Sequence, residues 1–242
     1  MAERQSLSES RLPEGARRGR AADSVERVYA IIKEWAIEYR FLPGQKINEA
    51  ELASQLSVSR TPVRAALNRL ERDGFVINIP NRGFFAREIS PAAVRELYEL
   101  RAAVERAAFV HACARASDAQ VEATVAAWED HGDPQDGGSW APVALADEAF
   151  HMALVRLSGN GQMVLAVEAL STRIRFFRRL ALEALPQRAQ SYREHAAIID
   201  ALRRRDAIGG AELLERHITL SAEHAAAAAG RGMARMLFGS AA

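Results

Sequence analysis

The chain has 242 residues, enough for two domains of ordinary size, and its 49% hydrophobic and 26% charged residues allow real cores beneath a soluble surface. A formal net charge of +1 excludes bulk charge as a source of nucleic-acid affinity, and no apolar run has the length of a transmembrane helix or a signal peptide. A single cysteine, Cys113, excludes an internal disulfide framework and suits a reducing compartment, so the expected location is the cytoplasm, with no membrane partner.

Residues 1–23 are polar, with Ser, Gly, Pro and an RRGR cluster, and read as a disordered arm. Ser24 to Tyr39 reads as a helix burying Val28, Ile31, Ile32, Trp35 and Ala36, and Leu42-Pro43-Gly44 ends it. The stretch NEAELASQLSVSRTPVRAALNRLERDGFVINIPNRGFF, Asn48 to Phe85, then gives two short helices joined by a tight turn and two strands around a polar tip. That is a winged helix-turn-helix, taken here as a domain over 24–90.

In its second helix Val63, Ala66, Leu67 and Leu70 recur at helical spacing, while Arg60, Thr61, Arg64 and Asn68 lie on the other side. A recognition helix needs that division, because one face packs while the other reaches phosphates and base edges. Ser59 or Thr61 can cap the first turn, and Pro62 fits where no intrahelical N–H is required. The guanidinium groups of Arg60 and Arg64 can bind guanine in two places. Thr61 suits a phosphate or a thymine methyl, Asn68 an adenine, and Arg82 at the tip a minor groove or a phosphate.

Ser90 can cap and Pro91 can open the next helix, which places a boundary at Ile89-Ser90-Pro91. Helices are expected near 91–114, 117–130, 139–158, 160–184, 187–204 and 206–229, with Gly and Pro between them. The fold class is therefore mainly α: a winged helix-turn-helix followed by an all-α bundle of six or seven helices over 91–229, with a flexible tail at 230–242. Ser24 to Ser90 holds ten basic and eight acidic residues, and Pro91 onward holds 17 and 19. The sign suits DNA at the first domain but the excess is small, so affinity must come from where the arginines sit.

Chemistry in the bundle lies with its histidines. Asp147 and His151 share a helix face bordered by Phe150 and Leu154. His195 sits on a stripe with Ile198, Ile199 and Leu202, and His217 on one with Leu213, Leu214 and Leu220. Burying such groups costs free energy unless they are hydrogen-bonded or bind a metal. Taken singly, each is an ordinary hydrogen-bonded core histidine; together they form an N₃O set for zinc first, or for nickel, manganese or iron. His131 and His224 read as solvent-facing, His111 as a core residue, and Arg173 to Arg179 as mostly a solvated charge run. Arg101 shares a face with Leu97, Val104 and Glu105, which suggests an intrahelical pair with Glu105.

The run LSVSRTPVRAALNRLERDGFV, with PNRGFF at its tip, resembles the DNA-binding domain of GntR-family transcription regulators. The resemblance implies operator contacts from Ser59, Arg60 and Arg64, helped by the wing tip at Arg82 and Gly83. Ala50 departs from it, standing where some relatives carry a basic contact residue. Residues from about Val94 to Glu223, through LYELRAAVE, DEAFHMALVRLSGN, EHAAIIDALRRRD and the helix ending in RHI, resemble the FCD ligand-binding domain. That second resemblance implies metal ligands at Asp147, His151, His195 and His217, and a site for an acidic effector at Arg101 and Glu105. The expected protein is not an enzyme but a homodimeric regulator, of repressor type, that binds double-stranded operator DNA and a small carboxylic-acid metabolite. A metal-responsive regulator with no organic effector, and a metal-dependent hydrolase, are the alternative readings.

Overall fold

The computed structural model describes residues 14–38, 40–88, 90–130, 140–182 and 185–238. The chain is mainly helical and divides into two compact units, Met1–Arg87 and Glu88–Ala242. The division falls just ahead of the Ser90-Pro91 pair. Among the described residues no helix is long and apolar enough to cross a membrane.

The first unit contains α1 (Glu14–Ile37), α2 (Glu49–Gln55), α3 (Arg60–Arg72) and the strands β1 (Val76–Ile79) and β2 (Gly83–Ala86). Helix α1 begins at Glu14 rather than Ser24, so the latter part of the expected disordered arm is helical; residues 1–13 lie outside the described residues. Asn48 caps α2, its side-chain oxygen accepting from the amides of Ala50 and Glu51. Ser57, at φ 53°, makes the tight turn to α3. Val63, Ala66, Leu67 and Leu70 are all at 0% exposure, packed with Val28, Ile32, Leu52, Val76 and Phe84. Capping at α3 differs from the expectation. Ser59 takes the N-cap position in extended conformation, but its side chain makes no cap hydrogen bond, and Thr61 lies inside the first turn.

The far end of α3 closes with a Schellman pattern: Phe75 N–H donates to the Leu70 carbonyl and Gly74 N–H to that of Glu71, with Gly74 at φ 78°. This bend aims the chain into β1. Strands β1 and β2 pair antiparallel from Val76 opposite Ala86 to Ile79 opposite Gly83. Asn81 at φ 61° and Gly83 at φ 89° make the turn at the tip of the wing. Tyr29 of α1 donates to Asp73 beyond the end of α3, and the Arg69 guanidinium lies 3.8 Å above the Tyr29 ring. These contacts fix α3 against α1.

The second unit contains α4 (Pro91–Arg115), α5 (Asp118–Glu129), α6 (Trp140–Leu157), α7 (Gly161–Leu182), α8 (Leu185–Arg203) and α9 (Ala207–Phe238). Ser90 caps α4 by accepting from the Ala93 amide, with Pro91 in the first turn. Ser117 and Gln120 form a reciprocal capping box on α5. Helix α9 runs to Phe238, so the tail expected to be flexible from 230 is helical that far. Helices α4 and α9 pack closely at Gly210, where an added Cβ would collide with the Phe109 ring. This close pairing, with α6, α7 and α8 against it, turns five helices toward one buried polar centre.

Candidate functional site

In the first unit, α3 and the wing border an open groove of about 1310 Å³. Arg60, Thr61, Arg64, Asn68, Arg82 and Gly83 all line it, while Ser59 is exposed at the start of α3 but outside the lining. The structure adds Lys46, Asn78 and Asn81, which the sequence reading passed over. Lys46 pairs in a β-bridge with Phe85, so the segment before α2 runs beside the wing. A polar Asn78 between Ile77 and Ile79 was the one available sequence signal. The Arg82 guanidinium lies 5.3 Å from the Phe85 ring centroid, which holds the long side chain at the tip. Four cations and five polar residues thus share a groove with the acidic Glu49 and Glu51. That is the chemistry of a phosphate-lined major groove partner.

In the second unit, Asp147 and His151 on α6, His195 on α8 and His217 on α9 bring their ligand atoms within 4.8 Å of one another. The three imidazoles are almost completely buried and Asp147 nearly so. His151 Nε2 and His195 Nε2 each lie 3.2 Å from His217 Nε2, and Asp147 Oδ1 lies 3.5 Å from His195 Nε2. Phe150 stacks on the His195 ring at 3.9 Å. Burial holds the His151 and His195 rings well below the usual imidazole range, with Arg101 adding to this at His151 and His217 at His195. Burial alone would raise the Asp147 carboxyl, but the neighbouring Arg178 guanidinium holds it below the usual carboxylate range. His151 and His195 therefore offer neutral nitrogens and Asp147 a carboxylate, the forms a metal requires.

The residues fit a divalent ion. Glu105 Oε2 lies 2.6 Å from His151 Nδ1, and Glu194 Oε2 lies 2.6 Å from His217 Nδ1. Both Nδ1 atoms thus donate to carboxylates, which turns the Nε2 atoms of these two rings toward one another at 3.2 Å. Such a pair repels by itself and is drawn together by a cation. Nitrogens bound to zinc at about 2.0–2.1 Å stand roughly 3.3 Å apart in a tetrahedral site.

Beside this centre is a cavity of about 30 Å³ lined by Tyr98, Arg101, Asp147, Arg178, Ser191, Glu194 and His224, among others. Arg101 faces it as expected. Glu105 departs from the expected effector role: it does not line the cavity, because its carboxylate is taken up between Arg101 Nε and His151 Nδ1. Arg178 is a second correction. It lies within the charge run read as solvated, yet it is 4% exposed and sits 3.1 Å from Asp147 Oδ2 and 3.6 Å from Glu148 Oε2. His224 is a third, half-buried at the cavity wall, about two turns along the same face of α9 from His217. His131 lies outside the described residues.

Residues 24–86 match the family described as "Bacterial regulatory proteins, gntR family", and residues 96–220 match the FCD domain. The Nta operon transcriptional regulator of Aminobacter aminovorans is 41% identical over 167 residues, covering 69% of this chain and 78% of the relative. The transcriptional repressor RspR of Escherichia coli is 23% identical over 193 residues, covering 80% of this chain and 85% of the relative. Among solved structures, a GntR transcriptional regulator from Rhodococcus sp. RHA1 superposes with a TM-score of 0.64 at 25% identity, over 84% of this chain and 97% of that one. These similar proteins are transcription regulators rather than enzymes. With its winged groove, its buried His₃Asp centre and both domain matches, the chain belongs to the GntR family of DNA-binding transcription regulators and carries an FCD domain.

Proposed function

We propose that this protein is a ligand-responsive repressor whose FCD unit holds one divalent metal ion and, beside it, a small carboxylate effector. Asp147, His151, His195 and His217 would hold the ion, with zinc first and nickel, manganese or iron as alternatives. When bound, the ion would supply a Lewis acid beside the cavity at Asp147.

One observation carries the effector reading. Arg101 Nη2 is buried with no acceptor in hydrogen-bonding geometry among the described residues, and the buried Arg178 guanidinium is ion-paired with Asp147 and Glu148 without a well-aligned hydrogen bond. Both residues line the cavity at Asp147. Leaving buried donors unmet costs about 1–3 kcal/mol each, and a carboxylate is the ligand that meets a guanidinium in two places.

At the first unit, Arg60, Arg64 and Asn68 would read bases, and Ser59, Thr61, Arg82 and Gly83 would contact the backbone or the minor groove. Pairing as a homodimer presents two recognition helices to the half-sites of a palindromic operator. Effector occupancy changes operator affinity by favouring one spacing of those helices, and operator DNA changes effector affinity by the same factor.

The test is a thermal-shift screen of mono-, di- and tricarboxylates on the metal-loaded chain, followed by operator-binding titrations. An acid that raises the melting temperature and weakens operator binding supports the reading, since a ligand stabilises the state it binds. If no acid does so and metal alone changes operator binding, the protein is a metal sensor instead.

A further inference from the structure

Resting on the metal reading above, we infer that Glu105 and Glu194 are positioning residues of the metal centre. Each holds one histidine ring so that its Nε2 faces the ion.

The same device is built twice, on different helices. On α4, Glu105 uses Oε2 to accept from His151 Nδ1 at 2.6 Å, and Oε1 to accept from Arg101, four residues earlier. On α8, Glu194 uses Oε2 to accept from His217 Nδ1 at 2.6 Å, and Oε1 to accept from Gln190 Nε2 at 2.9 Å, also four residues earlier. In each case one oxygen orients the ring while the other is tied down by a side chain one turn back on the same helix. A carboxylate held at both oxygens cannot swing, so the ring it meets is fixed in tautomer and in rotation.

The consequence appears at the centre. With Nδ1 of each ring turned to its glutamate, the Nε2 atoms of His151 and His217 face one another 3.2 Å apart. Neutralising Arg101 would account for Glu105 alone. It does not account for Glu194, which is tethered by the neutral Gln190 and yet meets its ring at the same distance. Orientation of a ligand is the role common to both. Glu105 is also walled off from the cavity, so an effector does not reach it.

The test compares the full-length wild type with E105Q and E194Q after metal is stripped by chelation. Cobalt(II) is titrated against a competing chelator, and proton NMR of each cobalt form follows the hyperfine-shifted ring N–H signals. The expected result is one ion per chain throughout, bound about 10–100-fold more weakly by each variant. The N–H signal of His217 should move in E194Q and that of His151 in E105Q, while the other stays. Glu194 is partly exposed and, unlike Glu105, is tethered by a neutral amide rather than a buried guanidinium, so E194Q remains a test even if E105Q fails to fold. Wild-type affinity in E194Q, with its N–H signals unmoved, would overturn the inference and leave the metal reading intact. A wild type that takes up no cobalt would overturn the metal reading, and this inference with it.

Discussion

Arg178 Nε lies 3.1 Å from Asp147 Oδ2, with both side chains removed from water. The carboxylate that would bind the metal is thus already neutralised by a cation from α7. A divalent ion at Asp147 and the guanidinium of Arg178 are two ways of meeting the same buried charge.

The first prediction follows from that competition. Replacing Arg178 with Met keeps the volume and leaves the Asp147 carboxylate uncompensated, a change that costs about 3–5 kcal/mol when a buried pair loses one partner. In the metal-stripped chain, R178M should therefore melt well below the wild type. Zinc should raise the R178M melting temperature by more than it raises that of the wild type, because the ion replaces the lost cation. Equal zinc shifts in the two proteins would show that Arg178 and the metal do not share this carboxylate.

The second prediction concerns the groove. Arg64 on α3 and Lys46 before α2 line the same concave face, but only Arg64 can form a planar pair with guanine. R64A should relax operator preference by about 1–3 kcal/mol at the positions it reads. K46A should weaken binding to all sequences alike and reduce the salt slope by about 1, the signature of one lost phosphate contact. Titrations on specific and scrambled DNA over a salt series separate the two. If K46A leaves the salt slope untouched, Lys46 is a bystander in the groove.

A third prediction is a pH dependence. Burial keeps His151 and His195 well below the usual imidazole value of 6.5, so the unfolded chain takes up protons at a pH where the folded chain refuses them. Where the unfolded state binds more protons, stability falls as pH falls. The metal-stripped protein should hold its full stability above about pH 6.5 and lose it progressively as pH drops toward the depressed folded values. Urea midpoints measured from about pH 7.5 down to about pH 5.5 check this. A flat profile would mean that these rings are not buried as neutral groups. The zinc-loaded protein should be steeper still, since protons and metal compete for the same nitrogens.

Much of this was legible in the sequence because the relevant signals are local. The spacing of Val63, Ala66, Leu67 and Leu70 fixes which face of α3 is buried, and it therefore fixes that Arg60, Arg64 and Asn68 face outward. His195 could be placed on a buried stripe in the same way, with Ile198, Ile199 and Leu202 all buried, and His217 is buried beside Leu214, although Leu220 of its stripe is exposed. What was misread has a common physical cause. In the run from Arg173 to Arg179, spacing alone does not say which arginine crosses into the bundle, and Arg178 does so because Asp147 on another helix meets it. Glu105 looked like a partner for Arg101 alone because its second oxygen meets His151, 46 residues away in the chain.

By itself, then, the sequence determined the two-domain plan, the outward face of the recognition helix and the four candidate ligands, because helical periodicity and capping act over a few residues. The tertiary structure decided which charges are buried together. It put Arg178 on Asp147, set Glu105 and Glu194 behind two of the three histidine rings, and brought Lys46 beside the wing. Those relationships depend on close packing between segments distant in the chain, and hydrogen-bond geometry at about 3 Å is decided only when the helices meet.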